Sequence, residues 1–269
     1  MTAADADPDN DQLHTLEHGE HGSRVVFCHG LFGQGRNWST LGRSLAEDHR
    51  VTLVDLPHHG RSPWRERFDY VDMADEIAAL CDADDPVTLV GHSMGGKAAM
   101  IAALRHPERI ARLCVVDIAP VAYAGGRGEF EGFVETMRAM DLDALPDRSA
   151  ADAAMAETVE DPGVRAFLLQ NLRREGEGWR WQMNLQVLGD QLDDLGGWPA
   201  DRLGDVTPYD APVLWIAGAD SRYVRDEHID AMRALFPQAQ RVRVKNAGHW
   251  VHSEQPAVFE QVLRRFLAA

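Results

Sequence analysis

Six short apolar runs, separated by longer stretches of helical period, constrain this chain more than any other feature. The runs are Arg24–His29, Val51–Asp55, Val87–Gly91, Leu113–Asp117, Val213–Ala217 and Arg241–Val244. Each is short and nearly all apolar, as strands buried on both faces must be. Between them, apolar residues recur at helical spacing over Trp38–Asp48, Tyr70–Cys81, Met94–Leu104, Glu227–Phe236 and Pro256–Leu267. Alternation of this kind predicts an α/β fold, a mostly parallel sheet with helices on both faces.

The alternation breaks between Pro120 and Pro208. That stretch has helical periodicity, in Phe130, Phe133, Val134 and Met137, but no buried-strand signal. It reads as a helical cap (lid) at residues 120–208, inserted into a core formed by 1–119 and 209–269. In open α/β sheets ligands bind at the carboxyl ends of the strands, the edge such an insertion would cover.

Charge narrows the function classes. Forty-three acidic residues against 27 basic leave a net charge of −16, a surface that repels nucleic acid and anionic lipid. No apolar run approaches the roughly 18 residues a membrane-spanning helix needs, and the acidic opening segment reads as a frayed tail, not a secretory signal. The partners expected are therefore small molecules, with no nucleic acid and no integral membrane association. Cys28, Cys81 and Cys114 form no C-x-x-C pair and read as small buried hydrophobes in a reducing cytoplasm. Monomer and dimer fit equally well.

After the run Val87–Val90 comes Gly91-His-Ser-Met-Gly95, a G-x-S-x-G pattern opening the helix that follows. Strand, sharp turn and helix together make a nucleophile elbow, which lifts Ser93 above the sheet at a helix amino end, where developing negative charge is favoured. A serine hydroxyl needs a neighbouring base. Of the twelve histidines, His249 follows the last strand in Lys245-Asn-Ala-Gly-His-Trp250, at the same sheet edge as Ser93 and late in the chain. His252 is a rival; His92 is expected to pack or bond locally.

These residues resemble the α/β-hydrolase superfamily. Gly91 to Lys97, Val116-Asp-Ile-Ala-Pro-Val121, Ser221-Arg-Tyr-Val224 and Gly248-His-Trp-Val-His252 look most like the YbfF-type bacterial esterases and their mitochondrial abhydrolase-domain relatives. The resemblance implies a serine esterase acting on carboxylic esters, or acyl thioesters, with no metal or organic cofactor. It offers two acids. The common superfamily pattern G-x-x-D falls on Gly218 to Ser221 and leaves Asp220 one residue early, whereas the YbfF-type pattern places the acid at Asp117; Asp117 is the acid expected, with Asp220 as the alternative. The backbone amide of Met94 is one expected oxyanion donor; by resemblance Leu31 is the second, with Phe32 as substitute. Phe32, Met94, Tyr123, Trp181 and Trp250 are candidates to line the pocket, and Ser221 and Tyr223 to support the acid loop. Perhydrolysis, carbon–carbon bond hydrolysis, acyl transfer, or slow-turnover ligand reception on the same scaffold remain alternative uses of these groups.

Overall fold

In the computed structural model, which describes residues 11–123, 128–176 and 178–269, seven strands form one sheet in the order β1-β3-β2-β4-β5-β8-β9. These are β1 (Thr15–His18), β2 (Arg24–Cys28), β3 (Arg50–Val54), β4 (Val87–His92), β5 (Ile110–Val116), β8 (Val213–Gly218) and β9 (Ala239–Val244). Only β1 runs antiparallel to its neighbour; the other pairings are parallel. Helices α1 (Ser39–Leu45), α2 (Tyr70–Ala79) and α3 (Met94–Arg105) lie between successive strands of the first half. In the second half α10 (Ile229–Leu235) precedes β9, and α11 (Val251–Glu254) and α12 (Pro256–Leu267) close the described chain.

Period-two alternation sorts the strand side chains onto two cores. Val26, Leu89, Val115 and Trp215 face α2, α3 and α10. Val25, Phe27, Val90, Val116 and Ile216 face the other way, onto Trp38, Leu45, Phe259 and Leu263. All six residues of β4 and of β8 are buried, so the centre of the sheet is covered on both sides.

Two strands depart from the expected pattern for the same reason. β9 lies at the sheet edge and exposes Gln240, Arg241 and Arg243, and β1, at the opposite edge, is the half-exposed segment Thr-Leu-Glu-His, which carries no apolar run. An edge strand does not have to be apolar on both faces.

Between β5 and β8 come α4 (Gly128–Ala139), α5 (Arg148–Met155), α6 (Pro162–Leu169), α7 (Leu185–Asp190), α8 (Leu192–Gly196) and α9 (Ala200–Leu203). The segment expected to be wholly helical also holds an antiparallel hairpin, β6 (Leu172–Glu175) and β7 (Gly178–Trp181). Only the pair Leu172–Trp181 at its base is buried, which is why no continuous apolar run announced it.

Candidate active site

Ser93 sits between β4 and α3 with φ +52° and ψ −118°, a conformation that L-residues rarely hold. The surrounding glycines make it feasible. A side chain at Gly95 would overlap the carbonyl of His29, and one at Gly91 would overlap that of Gly95. The turn can therefore be this tight only where β2, β4 and α3 approach as bare backbone. The Ser93 amide donates to the Val116 carbonyl at 3.0 Å, tying the elbow to β5.

Three side chains from three strand ends meet there. Ser93 Oγ lies 2.9 Å from His249 Nε2, and His249 Nδ1 lies 2.8 Å from Asp117 Oδ2. Asp117, directly after β5, is fully buried. Its carboxylate also accepts from the Gly218 amide at 3.0 Å and from the Ser221 hydroxyl. A carboxylate only accepts, so it draws the imidazole proton to Nδ1 and leaves Nε2 free to accept from the serine. The Tyr223 ring stacks on the imidazole at 4.1 Å between centroids, and His92 Nε2–H donates to the His249 carbonyl at 2.9 Å. Asp220 is exposed, one residue before the Ser221 that holds Asp117. His252 packs against Trp38 at 4.3 Å, and burial pushes its pKa down to about 3.

Two backbone amides beside Ser93, those of Leu31 and Met94, belong to residues that border the same cavity and are candidate anion donors. Among the described residues the amides of Leu31 and Met94 donate to no other protein group. The amide of Phe32, the expected substitute, is already committed to His59 Nε2 at 3.2 Å. His59 Nδ1 in turn donates to the Pro57 carbonyl at 2.8 Å, and His29 bridges the Gly30 carbonyl and the Leu56 amide at 2.8 and 3.0 Å. Burial lowers the pKa of both rings, so each stays neutral and can accept an amide proton. Asp55 completes the frame by accepting from Gly35 at 2.7 Å and Arg61 at 3.0 Å.

Two cavities meet at Ser93. The smaller, about 30 Å³, is bordered by His249, Trp250, Phe32 and Phe167. The larger, about 390 Å³, is bordered by Leu31, Met94, Tyr123, Phe130, Leu195 and Lys97. Of the residues proposed to line a pocket, Phe32 and Trp250 border the smaller cavity, and Met94 and Tyr123 the larger. Trp181 does not: its indole donates to the Met137 carbonyl at 3.2 Å inside the β5–β8 segment. A large buried aromatic there packs the segment against itself.

Sequence reasoning did not single out Lys97, although the signal was present: one of only two lysines in the chain, immediately before the apolar run Ala98–Leu104. Nor did it find Asn171, fully buried, whose side chain bonds the Phe32 carbonyl at 2.7 Å and Gln34 Nε2 at 2.6 Å. Among the described residues no His, Cys, Asp and Glu cluster is placed to hold a metal ion, and no helix is long and apolar enough to cross a membrane. All three cysteines are buried and free.

A family model described as the alpha/beta hydrolase fold matches residues 23–256. The sn-1-specific diacylglycerol lipase ABHD11 of Mus musculus is 39% identical over 91% of this chain and 80% of its own length. Esterase YbfF of Escherichia coli (strain K12) is 36% identical over 96% of this chain and 98% of its own. A solved marine microorganism esterase superposes with a TM-score of 0.90 at 29% identity, covering 96% of this chain and all of its own. The chain belongs to the α/β-hydrolase fold family and sits among its esterases and lipases.

Proposed function

We propose that the protein hydrolyses carboxylic esters through an acyl-enzyme on Ser93. The observation that carries this is the unbroken hydrogen-bonded line Ser93 Oγ–His249 Nε2, His249 Nδ1–Asp117 Oδ2, at 2.9 and 2.8 Å. Ser93 Oγ attacks the ester carbonyl while His249 takes its proton. The oxyanion forms against the amides of Met94 and Leu31. Donors of this kind are each worth about 2.7–4 kcal/mol of transition-state stabilisation. Collapse expels the alcohol, which receives the proton from His249; a water molecule, deprotonated by the same imidazole, then releases the acid.

The similarity to an esterase and a diacylglycerol lipase supports an oxygen ester as the substrate bond. The same machinery would open a thioester, whose leaving group needs less help from His249. Residues 120–208 serve as the cap over the strand ends, and 1–119 with 209–269 as the catalytic core.

The test is active-site titration with a fluorophosphonate and steady-state turnover of p-nitrophenyl butyrate. Stoichiometric labelling of Ser93 and loss of turnover in Ser93→Ala are expected. Turnover persisting in Ser93→Ala would defeat the proposal, and a single burst without turnover would make the protein an acyl-binding receptor instead.

A further inference from the structure

Lys97 lies four residues after Ser93 on α3, so its backbone is about 6 Å along the helix from the nucleophile. Its side chain is 1% exposed, yet it borders the larger cavity. Nζ donates to the Gly196 carbonyl at 2.7 Å and to that of Gly197. Among the described residues no carboxylate lies within ion-pair distance of it. The rings of Tyr70 and Tyr123 flank it at 5.6 and 5.0 Å from Nζ to the centroid. Buried ammonium groups are normally paired with an anion. Two carbonyl dipoles and two ring faces are weak substitutes for one, and the ammonium has three donors.

The two cavities can be assigned to the two halves of an ester. The leaving alcohol must collect its proton from His249, which borders the small cavity and not the large one. The acyl group therefore extends into the large cavity, toward Lys97. Arg222 and Arg225 also border that cavity, and Arg225 is already engaged by Glu227 at 2.6 Å. On a chain of net charge −16 this is a cationic lining inside an anionic surface.

We infer that Lys97 is the anchor for a carboxylate on the acyl group, so that the favoured substrates are monoesters of short dicarboxylic acids. The inference rests on Ser93 being the nucleophile. An incoming carboxylate supplies the missing counterion, and Arg222, exposed at the mouth, draws it in.

Burial pushes the Lys97 amine down to about 7, so the free enzyme loses this charge as pH rises through neutrality. The other groups facing it do not change charge there. Tyr70 and Tyr123 are raised by burial and stay neutral, and a guanidinium does not deprotonate in proteins. His249 acts on every ester alike and cancels in a ratio of substrates.

The experiment measures kcat/KM by acid release for the monoethyl esters of succinic, glutaric and adipic acids, each against the neutral ethyl ester of equal chain length. At pH 6.5 at least one monoester is expected to be preferred tenfold or more. That ratio should fall as the pH rises to 8.5, and it should fall at least tenfold in Lys97→Met. No preference in the wild-type enzyme, or a ratio that does not change with pH, overturns the inference. So does an equal loss on both ester classes in Lys97→Met, which would make Lys97 only a clamp on Gly196 and Gly197. Ser93→Ala, run alongside, separates the outcomes: activity surviving in it defeats the nucleophile assignment, whatever the substrate ratio.

Discussion

Phe32, Ser93 and Asp117 all hold positive φ, at +60°, +52° and +51°, and all three border the candidate site. Such conformations cost on the order of 1–3 kcal/mol each and persist only where surrounding contacts over-determine them. At Asp117 those contacts are visible: its amide donates to Ile216 at 2.9 Å while its carboxylate is held by Gly218, Ser221 and His249. The one-residue offset that left Asp220 short of the common superfamily position is filled by a serine that holds the acid from the neighbouring strand. Asp117→Asn should therefore lower kcat by about 10⁴-fold, because an amide that donates toward Nδ1 selects the wrong imidazole tautomer. Asp220→Asn, changing an exposed group, should stay close to wild type. Side-by-side kcat values with p-nitrophenyl butyrate decide it, and the reverse ranking would move the acid to Asp220.

At the scale of elements, the strands read most plainly were those whose burial is two-sided, although the edge strand β9 was also read, over Arg241–Val244. β2, β4, β5 and β8 announced themselves because an apolar run is the only sequence that survives between two helical layers. Ser93 and His249 were legible because a nucleophile elbow and a loop after the last strand have fixed places on such a sheet. β1, β6 and β7 were not, since each leaves at least one face half-exposed and has no pattern to enforce. Asn171 and His59 were illegible for another reason: their partners lie 139 and 27 residues away and are mostly backbone atoms, which leave no mark on a sequence. Asn171 joins the end of α6 to the loop carrying Leu31 and Phe32. Replacing it by alanine strands the Phe32 carbonyl and the Gln34 amide, at about 1–3 kcal/mol for each buried group. The loop is then free to shift its oxyanion donor. Asn171→Ala is expected to lose thermal stability and about tenfold in kcat, equivalent to about 1.4 kcal/mol, with KM for a short ester little changed. Lost stability with unchanged kcat would show that the contact holds the β5–β8 segment without positioning the donor.

The molecule as a whole keeps several imidazoles out of water, and this sets how it responds to acid. His29, His58, His59, His92 and His252 all have pKa values lowered mainly by burial. Each stays neutral in the fold at a pH where the unfolded chain, titrating near 6.5, takes up a proton. A depressed histidine pKa thus contributes stability that is complete above about pH 6.5 and drains away as the pH falls, down to about 3 for His252. Each such ring costs up to about 1.4 kcal/mol per pH unit in that window. Acid also relaxes the self-repulsion of a chain at −16, which pushes the other way. Those charges are spread over 12904 Å² of surface and screened beyond about 8 Å at physiological salt, so the buried rings should win. The urea midpoint at 0.15 M salt is accordingly expected to fall from pH 7 to pH 5 with a slope of more than one proton. His252→Phe, which fills the space against Trp38 with a ring that cannot titrate, should remove about one proton from that slope. A midpoint that is flat or rises over the same interval would mean that surface charge, and not the histidine cluster behind the site, governs the acid limit.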